Sequence, residues 1–245
     1  MYIFIKKINK YVLLYARLTR LKRVLVDFFL GLTVVSLINI QFNISFKNFI
    51  FALLVSLLSV LFAYGINDIE DAEDDAKDIA KKQRNIISNG TLKKSTAFKL
   101  IYINLAACLI LSINLGIIPS VIILLTLLLG YLYSSKKYRL KSIPFMDFIS
   151  HGFFLGAFQV FLFLAISNIN NINIYQILVA FGVWIFSIGG CIFNQVRDFE
   201  VDRISNIKNT VQLFGLSTGK FLYKIGYSLG SLIILIGLVM QMIQI

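Results

Sequence analysis

Charge is the scarcest commodity in this chain. Only 15% of its 245 residues are charged, against about a quarter in an ordinary soluble domain. Acidic residues number 12, histidine 1, tryptophan 1, proline 2 and cysteine 2. Cys108 and Cys191 stand far apart within apolar runs and form no CxxC pair. That excludes a disulfide framework and a zinc site and leaves both thiols as core residues. What replaces the missing charge is hydrocarbon: 58% of the residues are hydrophobic and the mean hydropathy is +0.82. Apolar runs of about 18 residues or more, long enough to cross a hydrocarbon layer of roughly 30 Å, recur along nearly the whole length. The expected fold is all-α, a polytopic transmembrane helical bundle forming one integral-membrane domain over residues 1–245.

Hydropathy predicts seven spans, at 21–40, 47–66, 97–115, 117–134, 144–167, 173–194 and 218–243. The N-terminal segment MYIFIKKINKYVLLYARLTRLKR mixes bases with apolar residues and lacks a compact apolar core or cleavage site, so it is read as retained rather than as a signal peptide. Connections after the first, third and fifth spans (IQFNIS, GIIPS, NINNIN) are short and nearly uncharged, whereas the others are long and charged. Every lysine and arginine except Lys47 then falls on one side. By the positive-inside rule that side is cytoplasmic and carries the N-terminus. The net charge of +12 is thereby explained by topology and headgroup attraction, and nucleic acid is not an expected partner.

All the carboxylates except Asp27 and Asp147 lie in two connections on that side, NDIEDAEDDAKD and NQVRDFEVDR. Crowded like charges on a helix cost about 0.2–0.5 kcal/mol per pair, so their clustering calls for a use. Asp68, Asp71 and Asp75 stand at i, i+3 and i+7, on one face of a helix continuing the second span. Asn194, Asp198 and Asp202 stand at i, i+4 and i+8 at the end of the sixth. Each motif offers a column of hard oxygen ligands, and Mg²⁺ commonly bridges one or two carboxylates to a substrate's phosphates. A solvated acidic face paired with lysines is the plainer reading, and it is preferred for Glu70, Glu73, Asp74 and Asp78, which lie off the main stripe.

These residues resemble the UbiA superfamily of membrane-bound polyprenyltransferases, whose signatures are NDxxDxxxD after the second helix and DxxxD after the sixth. Asn67, Asp68, Asp71 and Asp75 match the first, and Asp198 and Asp202 the second. RNIISNG (Arg84 to Gly90) is similar to the family's RNxxxxG stretch without its usual proline, YLYSSKKYRLKSIPFMD (Tyr131 to Asp147) to its YS…K…D connection, and KNT (Lys208 to Thr210) follows the second motif. The resemblance runs from about residue 10 to residue 225. It implies a Mg²⁺-dependent intramembrane prenyltransferase that moves a polyprenyl group from its diphosphate to an aromatic or lipid-soluble acceptor. Asp68, Asp71, Asp75, Asp198 and Asp202 would hold the metal, with Asn67 and Asn194 as neutral partners. Arg84, Lys137 and Arg197, and more weakly Arg17, would neutralise the leaving diphosphate. The family usually has nine helices, against seven expected spans here; a short natural variant, a truncated gene product and a partner protein supplying the remaining helices are all compatible with the sequence.

Smaller signals have two readings each. Tyr64, Tyr131, Tyr133 and Tyr138 fit an interfacial aromatic belt, with Tyr133 the best candidate for facing a cation. His151 reads as a hydrogen-bonded packing residue or as a proton acceptor at the cavity, the former preferred. The GxxxG pairs Gly152/Gly156 and Gly226/Gly230 are assigned to helix packing. A soluble isoprenyl diphosphate synthase is excluded by hydropathy, and a CDP-alcohol phosphotransferase by the absence of its signature. The alternative function is a membrane cation transporter or binding protein using the acidic loops.

Overall fold

The computed structural model describes the backbone of residues 2–26, 44–167 and 172–243, with side chains from Asn9 onward. Among these residues all regular structure is helical. An N-terminal helix α1 (Tyr2–Leu18) precedes six helices long and apolar enough to cross a membrane: α2 (Phe46–Glu70), α3 (Lys94–Ile113), α4 (Ile117–Ser134), α5 (Met146–Ser167), α6 (Ile174–Arg197) and α7 (Leu216–Ile243). They coincide with the second to seventh expected spans. The first, at 21–40, lies largely outside the described residues. Helix α1 was not anticipated, because its bases and apolar residues alternate too closely for a span.

Helices dominate because a lipid environment offers backbone N–H and C=O groups no water, so each must be satisfied within its own segment. Local chemistry sets the ends. Ser45 accepts from the Asn48 N–H to open α2, and Asn173 with Gln176 forms a reciprocal capping box at the start of α6. Between α2 and α3 lie two short helices, Ala72–Asp75 and Ile79–Arg84. Two more, Phe199–Ile204 and Thr210–Phe214, lie between α6 and α7.

The main core is built on α2: Val55, Phe62 and Ile66 pack with Leu18, Ile101 of α3, Ile123 and Leu127 of α4, and Leu162 of α5. Both cysteines are buried, as expected, and unbridged. Polar side chains join these helices from inside. Tyr15 donates to Asn104 Oδ1 at 2.9 Å, and Asn104 donates to the Leu58 carbonyl at 3.0 Å, hooking α1 and α3 onto α2. Gln159 of α5 accepts from Ser56 at 2.7 Å and donates to the Phe154 carbonyl at 2.9 Å.

The most extensive helix pair is α6 with α7, and glycine makes it. A Cβ added at Gly226 would lie 2.8 Å from Gly189 Cα, and one at Gly230 only 2.6 Å from the Phe186 nitrogen. Backbone therefore meets backbone. The second GxxxG pair behaves alike: Gly152 presses α5 on Trp184 and Gly156 presses it on Ser187 and Val183 of α6.

Helix α1 ends at a left-handed residue, Arg20, whose φ is 51°, a conformation costing about 1–2 kcal/mol for a residue bearing a Cβ. Its guanidinium forms a buried ion pair with Asp68, donating to both carboxylate oxygens. The opposite charge of Asp68 outweighs burial and raises the Arg20 pKa above its ordinary value.

Two stability outcomes follow from this packing. Gly226→Val is expected to lower stability by at least about 2 kcal/mol through overpacking, read as the unfolding transition in detergent, whereas Gly190→Ala, where only the Tyr227 hydroxyl at 3.6 Å would be met, leaves it nearly unchanged. Arg20→Ala or Asp68→Ala alone should cost roughly 3–5 kcal/mol by stranding a buried charge, and Arg20→Met with Asp68→Leu considerably less than the sum. Additive losses would count against the buried pair.

Candidate active site at the acidic end of the bundle

The two acidic motifs lie at one end of the bundle and line a common cavity of about 1080 Å³, solvent at its mouth included. The first motif begins on the last turn of α2. Asp71 is the C-cap of that helix, and the Asp75 N–H bonds its carbonyl at 2.8 Å, so the chain continues almost helically through the break. Asp71 and Asp75 reach the cavity with Asn67. Asp68 does not: its carboxylate is 2% exposed and faces Arg20. The expected column of three thus delivers two carboxylates to the cavity, and the third anchors the N-terminal segment. Residues 18–20 pack against that side of α2 and leave Asp68 facing a base rather than open space.

Asn85, within the RNIISNG stretch, clamps the motif from behind. It is fully buried and donates to Asp75 Oδ2 at 2.9 Å and to the Asp68 carbonyl at 2.8 Å, while accepting from the Ile87 and Ser88 N–H groups. Asp78 caps the short helix Ile79–Arg84 by accepting from the Lys81 N–H at 2.7 Å. That helix brings both Lys81 and Arg84 to the cavity.

The second motif crosses from α6 to the helix Phe199–Ile204. Asp198 accepts from Arg197 Nε at 2.9 Å and lies 3.3 Å from Lys81 Nζ. Asp202 accepts from Asn209 at 2.8 Å and lies 4.0 Å from Lys81. Lys81, from the connection that follows the first motif, therefore bridges the two carboxylates of the second. The two carboxylates differ electrostatically. Burial would raise both, and it prevails at Asp202, pushed up to about 6; at Asp198 the bonds to Arg197 and Lys81 outweigh burial and hold it below the usual carboxylate value.

Behind the second motif, Asp147 of α5 is a buried hub. It accepts from the Thr210 N–H at 2.6 Å, the Thr210 hydroxyl at 2.7 Å and Gln195 Nε2 at 2.9 Å. Gln195 Oε1 accepts in turn from the Val211 N–H at 3.1 Å. The KNT stretch is thereby fastened to α5 and α6, and its Asn209 holds Asp202 in place.

The connection from α4 to α5 supplies bases to the first motif, though not the expected one. Lys137 is exposed, its ammonium 5.3 Å from the Tyr138 ring, and it does not line the cavity. Lys141 bonds both Asp71 oxygens and reaches Asn67 Oδ1 at 3.0 Å. Arg139 bonds Asp74 at 2.6 Å and Asp71 at 3.4 Å. The connection turns through left-handed residues, Arg139 at φ 42° and Phe145 at φ 70°, and those bends decide which base turns inward. Arg17 is likewise exposed, and Arg20 and Arg23 line the cavity in its stead.

The remaining expected residues, Arg84, Tyr133, Asn194 and Arg197, all line the cavity. The residues that sequence reasoning did not single out are Arg20, Lys81, Asn85 and Lys141. Lys141 and Asn85 lay within quoted motif stretches, so a signal existed for them; Arg20 and Lys81 lay among many equivalent bases.

Among the described residues no three Asp, Glu, His or Cys side chains approach closely enough to hold a metal by themselves. The donor set nonetheless suits Mg²⁺, which keeps water and takes one or two carboxylates plus substrate phosphates. Asn194 Oδ1 adds an independent sign: it is buried in this wall without a hydrogen-bond partner, an acceptor whose desolvation goes uncompensated unless a cation or donor arrives.

The sequence pattern of the UbiA prenyltransferase family matches residues 25–244. Lycopene elongase/hydratase of Haloarcula japonica is 28% identical over 157 residues, 64% of this chain and 51% of that protein. Its counterpart in Haloferax volcanii is 26% identical over 159 residues, 63% of this chain and 49% of that protein. The aligned region spans about half the length of these relatives. A UbiA homolog from Archaeoglobus fulgidus, solved bound to GPP and Mg²⁺ and also to DMAPP and Mg²⁺, has a TM-score of 0.71 at 23% identity, covering 94% of this chain and 86% of its own. With an all-helical bundle of the same fold and a match along most of its length, the chain belongs to the UbiA prenyltransferase family.

Proposed function

We propose that this protein is a Mg²⁺-dependent prenyltransferase that moves a prenyl group from its diphosphate to a lipid-soluble acceptor within the bilayer. The observation that carries this reading is the meeting of Asp71 and Asp75 with Asp198 and Asp202 around one cavity whose deeper wall is formed by Ala63, Tyr133, Phe154 and Leu155. Ionic chemistry at the mouth and an apolar, aromatic interior suit a substrate with a diphosphate head and a hydrocarbon tail.

When bound, Mg²⁺ would draw charge from the diphosphate and make it a better leaving group. Asp71, Asp75, Asp198 and Asp202 would hold it, with Asn194 as a neutral ligand. Lys81 now neutralises Asp198 and Asp202, and Lys141 neutralises Asp71. The ammonium groups of Lys81 and Lys141, with Arg84 and Arg197 in the same cavity wall, would then be available to the diphosphate, to stabilise the charge that develops as the C–O bond breaks. The aromatic faces of Tyr133 and Phe154 lie where the allylic cation would form. The relatives named lycopene elongase/hydratase favour an extended hydrocarbon acceptor over a polar one. We place the acidic mouth on the cytoplasmic side, from the one-sided distribution of bases.

The competing reading, a cation carrier, asks for carboxylates at mid-span. The acids set in the spans among the described residues are Asp68 and Glu70, on the last turn of α2, and Asp147, at the start of α5; all lie at span ends, and Asp68 and Asp147 are engaged by protein donors. That pairing favours a structural role for both.

Membranes containing the protein, incubated with radiolabelled geranylgeranyl diphosphate, lycopene and a membrane-lipid extract, should form labelled transfer product only with Mg²⁺. Asp198→Ala with Asp202→Ala should lower the rate by at least about 10²- to 10³-fold; undiminished transfer would sink the reading. In the same assay Lys141→Met is expected to weaken prenyl-diphosphate binding by roughly ten- to a hundredfold, the worth of one charge-assisted hydrogen bond of about 1.5–3 kcal/mol. Lys137→Met should bind like the parent protein, and equal losses in the two variants would contradict the assignment of Lys141.

A further inference from the structure

Below the ring of carboxylates and bases the cavity meets one imidazole. His151, on the first turns of α5, lines it together with Tyr133 and Phe154. The three rings contact one another, His151 to Tyr133 at 5.8 Å, His151 to Phe154 at 5.7 Å and Tyr133 to Phe154 at 5.3 Å. They form an aromatic floor. Its depth follows from α6. Ser187, which bonds His151, precedes Asn194 by seven residues and Asp198 by eleven, or roughly 10 and 16 Å along the axis at 1.5 Å per residue. A diphosphate held at the mouth would leave its first carbons between the two levels.

The hydrogen bonds of Ser187 accommodate the tautomer with a proton on Nδ1. Its hydroxyl donates to the His151 carbonyl at 3.3 Å, and its oxygen lies 3.0 Å from His151 Nδ1. A hydroxyl has a single proton; with that proton directed at the carbonyl, the oxygen accepts from Nδ1–H. Nε2 then carries the lone pair, and among the described residues it has no hydrogen-bond partner. Neighbouring polar groups are engaged: the Tyr133 hydroxyl lies 3.6 Å from Cys191 Sγ, Gln195 Nε2 contacts that sulfur at 3.4 Å, and Asp147 is committed to Thr210 and Gln195. The placement is also enforced by backbone. Immediately after His151 the helix forms a π-turn over Phe153–Ala157, a feature frequent at functional sites. An added Cβ at Gly152 would fall 2.8 Å from the Trp184 ring, so no larger residue would let α5 sit this close to α6.

We propose that His151 is a catalytic residue, the proton acceptor that completes prenyl transfer, oriented by Ser187. The inference rests on the prenyl-transfer reading above. The C–O bond of the prenyl diphosphate breaks and its electron pair leaves with the diphosphate. A π-bond of the acceptor then supplies the pair that forms the new C–C bond to the allylic carbon, leaving a cation on the acceptor. Nε2 takes a proton from the carbon beside that cation, and the C–H pair becomes a new double bond. The imidazolium gives up its proton to water as the product leaves, so the sum is prenyl diphosphate plus acceptor giving prenylated acceptor, diphosphate and one proton. No redox partner is required.

The test compares the parent protein with His151→Phe, which keeps an aromatic ring on the floor, and with Ser187→Ala. Each is given radiolabelled geranylgeranyl diphosphate, Mg²⁺, lycopene and membrane-lipid extract. Mg²⁺-dependent binding of geranylgeranyl diphosphate and the detergent unfolding transition are measured on the same samples. His151→Phe should lower transfer about 10²- to 10⁴-fold, the range of general-base catalysis, with binding changed less than twofold. Diphosphate release should continue, so that the ratio of geranylgeraniol formed by water capture to transfer product rises. Ser187→Ala should fall between that variant and the parent. Transfer at the parental rate in His151→Phe would overturn the role of His151, as would parallel losses of binding and transfer. Absence of transfer by the parent protein would instead overturn the prenyl-transfer reading, and this assignment with it.

Discussion

Five carboxylates of two separate connections, Asp74 among them, can share one cavity only if their mutual repulsion is met, and the polar end of this bundle is organised around that requirement. Lys81 stands between Asp198 and Asp202, Lys141 holds Asp71, and Arg20 holds Asp68. Each base comes from a different connection. The ion pairs therefore do more than neutralise: they tie residue 20, the loop after α2, the loop after α4 and the end of α6 to a common point. Exposed ion pairs contribute little to stability, but these are mostly shielded, with Lys141 only 11% exposed and Lys81 14%. Carboxylates held by ammonium groups in the same cavity wall can exchange those partners for a metal while the bases turn to the anion that accompanies it.

The constraint propagates into the membrane through backbone contact. Helix α6 carries the second motif at its end and is gripped on two faces by glycine, from α7 at Gly226 and Gly230 and from α5 at Gly152 and Gly156. Within a bilayer, where apolar surface gains nothing from being hidden from lipid, close packing and internal polar bonds are the available means of fixing helices. Asp147 supplies the polar counterpart, bonding Thr210 and Gln195 at the level where α5 enters the bundle. The second acidic motif thus rests on a frame of short contacts rather than on loop conformation.

Much of this was legible in the sequence, for reasons that mark where legibility ends. Six spans emerged within a few residues of their observed bounds because apolar length is a property of composition alone. Asp71, Asp75, Asp198 and Asp202 emerged because scarce charge, concentrated at helical spacing, is conspicuous in an apolar chain. Asp68 shares that spacing and still turns away, since its direction depends on Arg20, a residue distant in sequence whose left-handed backbone no pattern announces. Lys137 and Lys141 are equivalent in type and neighbourhood; the left-handed residue between them, Arg139 at φ 42°, separates them. Helix periodicity says which side chains share a face, but not which face meets a partner that has yet to be placed.

One face of α6 shows how these parts combine. From depth to mouth it presents Ser187, Cys191, Asn194 with Gln195, and Asp198, at steps of three or four residues, the spacing that stacks side chains along one side of a helix. Each member has a different task. Ser187 sets the imidazole of His151, Cys191 contacts the Tyr133 hydroxyl, Gln195 locks the loop that carries Asn209, and Asp198 faces the ions. A polar stripe through an apolar span is costly unless every group on it is satisfied. Here one acceptor, Asn194 Oδ1, is not, and it lies between the carboxylates and the aromatic floor. A single rigid helix therefore sets the distance between the place where charge is bound and the place where a proton is taken, and the gap it leaves open is at the level where the prenyl carbon would react.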